Sequence, residues 1–361
     1  MPLNRRHFLF GSLALPALAA KKSAPAERPN IVLVIADDLG AYMLGCYGNQ
    51  EVRTPNIDHL ALTGVRFAHH FSTGFEPPST DAFATAGYNC GAADSSAKAA
   101  GFLDAQAPAK PFFLSIIWPS PFQVTPSPKN LDAYVTSKFE ALGWDPPAAN
   151  ATHKDMLSDV AGNLRKYAAA VTTLDEQIGE LLAKLQQRGV ADNTLVILTG
   201  RKGYLLGHHG LWGDARASNP VNLYEEVVRT PLIWVWPSRF PPQTVRNDVV
   251  APYDLLPSLS ELTGVALPAS KGQSYLTFAY GRRLGKKQSW PGVAFGSYQN
   301  AEMARDDRYK LILRDQGKGP NEFYDESADP QERTNQYDNP QFVSARDHLV
   351  SLLSGWRGRS A

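Results

Sequence analysis

The sequence has little cysteine, almost no net charge and few long apolar runs. Its two cysteines, Cys46 and Cys90, can form at most one disulfide and cannot form a disulfide scaffold or a four-thiolate metal site. The net charge of +1, from 36 basic and 35 acidic residues, lacks the basic excess of a general nucleic-acid binder. With 43% hydrophobic and 20% charged residues among 361, the chain is expected to fold around a sizeable core rather than remain disordered.

The N-terminus has the pattern of an export signal. Arg5 and Arg6 form a twin-arginine pair, an apolar run follows from Phe8 to Ala20, and small residues near Ala19 offer a cleavage site. We therefore expect residues 1–19 to direct twin-arginine export of a bacterial protein to the periplasm or beyond; a disordered basic N-terminus is the alternative. No permanent membrane span is expected, because the run is shorter than the roughly 20 residues that a spanning helix needs.

The main part of the chain alternates predicted strands and helices. Continuous β-branched and aromatic runs predict buried strands at 30–36, 112–118, 194–199 and 231–237. Helical spacing of apolar residues predicts helices at 54–62 and 156–187. This alternation predicts an α/β fold with a mostly parallel sheet sandwiched by helices. Residues 72–110 are rich in small residues and show little periodicity of either kind.

The pattern of predicted elements changes after about residue 265. Short strand patterns at 293–298, 301–305 and 309–314 precede an amphipathic helix at 342–353. We therefore expect an α/β domain at 28–265 and a small antiparallel α+β subdomain at 266–355.

Four stretches together resemble the type I sulfatases of the alkaline phosphatase superfamily. They are RPNIVLVIADDLG from Arg28, TPNIDHLALTGVRFAHHFST from Thr54, LYEEVVRTPLIWVWP from Leu223 and DRYKLILRD from Asp307. The resemblance extends over about residues 28–355 and implies the sulfatase fold and sulfuric ester hydrolysis. It also implies a calcium-like ion held by carboxylate and amide oxygens, and a formylglycine nucleophile made within a C-x-P-S-R motif.

The metal motifs are only half retained. Asp37 and Asp38 match the first two metal ligands of the family, whereas the second motif, T-S-D-N/H-G, reads Thr199–Gly203 with Arg201 and Lys202 in the ligand positions. We expect no cofactor, and we hypothesise that these two cations replace the ion by pairing with the two carboxylates. The alternatives are that the aspartates cap a helix and that both basic side chains point to solvent.

The resemblance also places non-matching residues at most catalytic positions. Glu76 occupies the nucleophile position of the C-x-P-S-R motif, and Thr80 occupies the position of its arginine. The short spacing to the next motif suggests a deletion at about 80–95. His209 matches a family histidine, although His208 replaces the acid before it. Four further catalytic positions are replaced. Where the family has a lysine this chain has Ser95 and Asp214, and where the family has a histidine it has Ala97 and Phe122.

The sequence therefore predicts a sulfatase homologue that is catalytically inactive. Its residual pocket of Arg201, Lys202 and His209 is a candidate site for a sulfated or other anionic glycan. An active metal-dependent phosphate or sulfate ester hydrolase is the alternative, with Thr73, Ser79 or Thr80 as nucleophile. A chain that folds but has kept no function is a third interpretation.

Overall fold

The computed structural model describes residues 28–107, 110–286 and 288–359. The predicted export signal at residues 1–19 lies outside these residues. Among the described residues, no helix has the length and apolar character needed to cross a membrane.

A seven-stranded sheet forms the centre of the molecule. Its strands lie in the order β3-β4-β1-β5-β6-β2-β7, and all pairings are parallel except those of β6 with β5 and β2. The central strands are buried on both faces because their sequences are almost continuously apolar. The strands are β1 (Asn30–Ala36), β2 (Val65–His70), β3 (Asn89–Ala93), β4 (Phe112–Trp118), β5 (Thr194–Gly200), β6 (Leu232–Val235) and β7 (Thr244–Val250).

Helices cover the sheet, and the longest one organises one face. In α5, apolar side chains recur every three or four residues and form a buried stripe. The fully buried Asp175 of this helix accepts backbone N–H bonds from Asn56 and Ile57, which ties the first turn of α1 to α5. The helices of this part are α1 (Pro55–Leu62), α2 (Thr80–Thr85), α3 (Ser96–Asp104), α4 (Pro128–Asp132), α5 (Val160–Gln187), α6 (Glu225–Val228), α7 (Leu255–Thr263) and α8 (Leu276–Ala279).

A four-stranded antiparallel sheet follows in the order β11-β10-β9-β8. The C-terminal helix α9 (Val343–Arg357) packs Leu349 and Leu353 against one face of this sheet. The strands are β8 (Ala294–Tyr298), β9 (Ala301–Arg305), β10 (Tyr309–Arg314) and β11 (Glu322–Asp325). The predicted fold class is therefore confirmed.

Some elements differ from the sequence-based expectation. Residues 72–110, for which no regular structure was predicted, contain α2, β3 and α3. The signal was weak because β3 is an edge strand of small, mostly half-buried residues, NCGAA, that has no apolar alternation. Strands β2 and β7 were not predicted either. Cys46 and Cys90 are both free thiols and half-buried.

Candidate functional site

The carboxyl ends of two adjacent parallel strands bring the matched acidic and basic residues together. In the register of β1 and β5, Ala36 lies opposite Gly200, and these are the last residues of the two strands. Asp37 and Arg201 therefore directly follow the two strands side by side. The backbone N–H of Arg201 donates to the Ala36 carbonyl at 2.8 Å, which continues the pairing to the start of the site. Ligand sites of open α/β sheets lie at this edge.

The ammonium group of Lys202 lies among three carboxylates. Its Nζ contacts Asp38 Oδ1 directly and lies 3.5 Å from Asp37 Oδ1 and 3.3 Å from Asp214 Oδ2. The side chain of Lys202 is 22% exposed, and that of Asp214 is 7% exposed. The contacts that the ion-pair hypothesis requires are therefore present, and Asp214 adds a partner that the hypothesis did not include.

Arg201 makes weaker ionic contacts beside this group. Its guanidinium lies 3.8 Å from Asp37 Oδ2 and 3.5 Å from Glu76 Oε2, and its Nε donates to the Phe75 carbonyl at 3.0 Å. Because Glu76 is 84% exposed, its ion pair is screened by solvent and contributes little stability.

The ionic cluster as a whole carries no excess of positive charge. Arg216 donates to both carboxylate oxygens of Asp214, at 3.1 Å and 2.9 Å. Four carboxylates therefore face three cations, so the cluster does not provide a free anion-binding charge. The members of this cluster, here called the lysine cluster, are Asp37, Asp38, Glu76, Arg201, Lys202, Asp214 and Arg216.

Burial and pairing shift the pKa values of the lysine cluster in opposite directions. Burial raises the pKa of Asp38, and the neighbouring Lys202 ammonium opposes that shift only in part. Burial alone would also raise the pKa of Asp214, but hydrogen bonds from Arg216 and the charge of Lys202 hold that pKa at about 2. For Lys202, the surrounding carboxylates outweigh burial and raise its pKa.

The low pKa of Asp214 gives a pH-dependent prediction. Its contribution to stability is present above the ordinary pKa of 3.8 and is lost as the pH falls toward about 2. Between pH 5 and pH 3, Asp214→Asn is expected to remove about 1 kcal/mol of the acid-induced loss in the free energy of unfolding. Urea unfolding at both pH values measures this difference. The exposed Asp132→Asn is the matched control; an equal change in both variants would contradict the prediction.

The other non-matching positions have local structural roles. Ser95 is the N-cap of α3, where its Oγ accepts from the Lys98 N–H at 3.4 Å, and Ala97 lies in the first turn of that helix. Thr80 is the first residue of α2. Phe122 is 41% exposed, and its ring lies against the rings of Tyr167, Tyr204 and Trp212.

His209 contacts a different set of residues from Arg201 and Lys202. Its ring stacks on Tyr224 with centroids 3.7 Å apart, and its Nε2 lies 3.4 Å from Glu226 Oε2. Its backbone N–H donates to Asp145. The three residues of the predicted residual pocket are thus distributed over two groups. Sequence reasoning did not single out Glu226, although it lies in the LYEE segment that carried part of the resemblance.

A cavity of about 510 Å³ lies beside the nucleophile position. Thr73 to Glu76 form one part of its lining, and the C-terminal sheet and α9 form another. Charged groups of both signs line it, including the Arg357–Glu302 ion pair and Lys271, whose Nζ lies 5.6 Å from the centroid of the Trp356 ring. No sequence pattern indicated this cavity, because its walls come from distant segments.

Comparisons with known proteins identify the family. The sequence model described as Sulfatase matches residues 29–77 and 74–265, and that described as N-sulphoglucosamine sulphohydrolase, C-terminal, matches residues 207–358. The chain belongs to the type I sulfatase family. The resemblance predicted from the motifs is confirmed.

Two curated relatives of this sulfatase-family chain show how far the similarity extends. It is 25% identical over 427 residues to an ulvan-active sulfatase of Formosa agariphila, covering 94% of the chain and 82% of that protein. It is also 29% identical over 199 residues to an N-acetylglucosamine-6-O-sulfatase of Bacteroides thetaiotaomicron. That match covers 53% of the chain and only 35% of the relative, so the chain spans about a third of that relative's length.

Solved structures share the fold. A protein in complex with its substrate D-glucosamine-2-N,6-O-disulfate has a TM-score of 0.76 at 19% identity, covering 91% of this chain and 97% of the other. A phosphonate monoester hydrolase of Agrobacterium radiobacter has a TM-score of 0.74 at 16% identity, covering 91% and 95% of the two chains. At these identities the similarity establishes the fold alone.

Proposed function

We propose that this sulfatase-family chain binds a sulfated glycan without hydrolysing its sulfate esters. The observation that carries the proposal is the position of Lys202 Nζ among Asp37, Asp38 and Asp214. A calcium-like ion, which the family resemblance implies, requires six to eight oxygen ligands. The donor set here has an ammonium group between its carboxylates and does not fit such an ion, so no step of a reaction is derived through a metal.

The nucleophile position supports the same proposal. Glu76 carries a carboxylate that cannot be converted to formylglycine, and this carboxylate pairs with Arg201. The groups that would stabilise charge or protonate a leaving oxygen are also replaced, and the loss of one such group typically costs about 10²–10³ in rate. With the nucleophile absent as well, no route remains for the sulfatase reaction.

The hydroxyl groups considered as alternative nucleophiles have structural partners. Ser79 is the N-cap of α2, where its Oγ accepts from the Asp81 N–H, and Thr80 begins that helix. Of the three, Thr73 alone is in the lining of the 510 Å³ cavity, and its Oγ1 accepts from the Ser297 N–H at 3.1 Å. A phosphate or sulfate ester hydrolase that uses Thr73 is the competing function, and the assay below includes it.

The cavity supplies the chemistry for a sulfated sugar. Lys271 provides a cation, Arg357 provides a second one that is paired with Glu302, and Tyr253, Phe295 and Trp356 provide aromatic surface. Sugar ligands are held by combinations of apolar surface and a few placed polar groups in cavities of this size. The structural relative solved with a disulfated glucosamine supports this ligand class. We propose that the glycan occupies this cavity, because Lys271 has no ionic partner among the described residues, whereas each cation of the lysine cluster is paired with a carboxylate.

Turnover and calcium dependence test the loss of catalysis. The wild-type chain is expected to release no product from 4-nitrophenyl sulfate or 4-nitrophenyl phosphate, and added calcium is expected to leave its melting temperature unchanged. Arg201→Asp combined with Lys202→Asn restores oxygen donors at both ligand positions. In that variant, calcium is expected to raise the melting temperature by about 3 °C or more.

Magnesium and calcium titrations of the Lys166→Met variant serve as the control, because Lys166 is exposed on α5 and is not a member of the lysine cluster. Turnover by the wild type that depends on calcium would overturn the proposal. Turnover that disappears in Thr73→Val would instead establish the competing hydrolase.

Glycan binding is tested separately by calorimetry with D-glucosamine-2-N,6-O-disulfate. Lys271→Ala with Arg357→Ala is expected to weaken binding at least about tenfold, since each lost charge-assisted contact is worth roughly 1.5–3 kcal/mol. The exposed Lys318→Ala is expected to leave binding unchanged. No binding by the wild type, or equal binding by both variants, would refute glycan binding at this cavity while leaving the loss of catalysis intact.

A further inference from the structure

A second group of titratable side chains lies apart from the lysine cluster and joins three segments of the chain. His208 and His209 lie in the turn after β5, Glu226 lies in α6, and Glu332 lies after β11. Ligand atoms of His209, Glu226 and Glu332 all lie within 4.8 Å of one another. The side chains are enclosed: that of His209 is 10% exposed, that of Glu226 is 12% exposed and that of Glu332 is 1% exposed.

The distance between the first two ligand atoms is long for a hydrogen bond. His209 Nε2 lies 3.4 Å from Glu226 Oε2, whereas N–H···O bonds usually span about 2.7–3.2 Å. Glu226 Oε2 is buried and has no hydrogen-bond partner among the described residues. Two ligands of a tetrahedral zinc ion, each about 2.0–2.2 Å from the metal, lie about 3.3–3.5 Å apart. The separation therefore suits two atoms that share a metal ion.

Glu332 retains the capacity to be a third ligand. Its Oε2 accepts the Glu225 N–H at 2.7 Å, and its Oε1 contacts the Lys310 ammonium. Each carboxylate oxygen has two lone-pair positions, so one position stays available on each. His208 Nδ1 lies 3.5 Å from Glu226 Oε1, on the oxygen that does not face His209, and can hold the carboxylate in place.

The charge around these residues favours a cation. The buried ionic contacts of this region involve four carboxylates, Glu225, Glu226, Glu326 and Glu332, and two cations, Arg305 and Lys310. The ionic contacts of Glu226 among the described residues are with His208 and His209 only. A divalent ion would give this carboxylate a charged partner, because buried carboxylates without one are costly. Imidazole and carboxylate together are the usual donors for zinc.

We propose that His209, Glu226 and Glu332 bind one zinc ion, which joins the turn after β5 and α6 to the C-terminal segment. This site is independent of the proposed glycan binding and of the lost calcium site. Zinc binding would stabilise the folded chain, because the three ligands come together only when the two sheets are packed against each other.

Metal analysis of the untagged chain tests the proposal. After incubation with ZnCl₂ and removal of free metal, we expect one zinc per chain, and calorimetry with Zn²⁺ is expected to give a dissociation constant in the micromolar range or below. Zinc is expected to raise the melting temperature by a few degrees, and EDTA to reverse the rise. Calcium or magnesium at the same concentration is expected to produce no shift, since neither prefers imidazole.

Substitutions locate the site. His209→Gln and Glu226→Gln are each expected to weaken zinc binding at least tenfold, whereas His348→Gln, an exposed histidine on α9, is expected to leave it unchanged. Because the first two variants could fold poorly, X-ray absorption of the wild-type zinc complex provides a second measurement. It is expected to show nitrogen and oxygen ligands only. No zinc retained by the wild type, zinc binding unaffected by His209→Gln, or sulfur ligation would overturn the proposal.

Discussion

Lys202→Met is expected to lower the free energy of unfolding at pH 7 by about 2–4 kcal/mol. Methionine keeps most of the side-chain volume but removes the ammonium that contacts Asp37, Asp38 and Asp214. Breaking a fully buried ion pair costs about 3–5 kcal/mol, and the 22% exposure of Lys202 places the expected loss somewhat lower. Urea unfolding monitored by tryptophan fluorescence measures the difference, with the exposed Lys166→Met as the matched control.

The loss should also depend on pH. Burial already raises the pKa of Asp38, and removing Lys202 takes away the charge that opposes this shift. A carboxyl group with a raised pKa in the folded state destabilises the fold increasingly as the pH rises above its unfolded value. The cost of Lys202→Met is therefore expected to be smaller at pH 5 than at pH 8.

A double-mutant cycle separates the ion pair from general damage to the fold. Asp38→Asn combined with Lys202→Met removes both members of the closest pair, and it is expected to cost less than the sum of the single changes by about 1–3 kcal/mol. If Lys202→Met is as stable as the wild type, or if the two changes are additive, the ammonium does not bridge these carboxylates. The interpretation in which Lys202 points to solvent would then be correct.

The meeting of acids and bases at this site could be predicted from the sequence. Two apolar runs predicted strands of one mostly parallel sheet, and parallel strands end at the same edge of a sheet. The match to the family's metal-ligand positions, rather than the strand pattern, then placed Asp37 and Asp38 beside Arg201 and Lys202. The same resemblance placed Asp214 at a lysine position of the family, but its contact with Lys202 was not predicted. Asp214 lies after a turn of irregular backbone, where no periodicity determines the direction of a side chain.

The 510 Å³ cavity could not be predicted from the sequence for a different reason. The apolar spacing of α9 predicts that Leu349 and Leu353 face a core, but it does not specify which part of the molecule lies beyond them. Trp356 and Arg357 reach the cavity only because the C-terminal sheet is packed beside the segment from Thr73 to Glu76. That packing depends on contacts between residues that are more than 200 positions apart, such as the Thr73–Ser297 hydrogen bond.

Lys310 makes ionic contacts with three glutamates, and Lys310→Met is expected to cost about 3–5 kcal/mol. The Lys310 side chain is fully buried on β10, where it contacts Glu332 and lies 3.4 Å from Glu225 and 3.9 Å from Glu326. Burial would lower its pKa, but these carboxylates outweigh that effect and raise it, so the group is charged at neutral pH. Without the ammonium, Glu225 and Glu326 would keep Arg305 as an ionic partner, and Glu332 would have none among the described residues.

The experiment for Lys310 has to separate this ionic contact from any bound metal. Unfolding of Lys310→Met and of the exposed Lys318→Met should be compared in EDTA, because a zinc ion at Glu332 could compensate for part of the lost charge. A loss of stability confined to Lys310→Met would mean that the ammonium holds helix α6 to the C-terminal strands. Glu225 belongs to α6 and Lys310 belongs to β10. A loss below about 1 kcal/mol would show that the Lys310 ammonium is not needed to hold the two parts together, because methionine preserves the apolar packing and the Arg305–Glu225 ion pair remains.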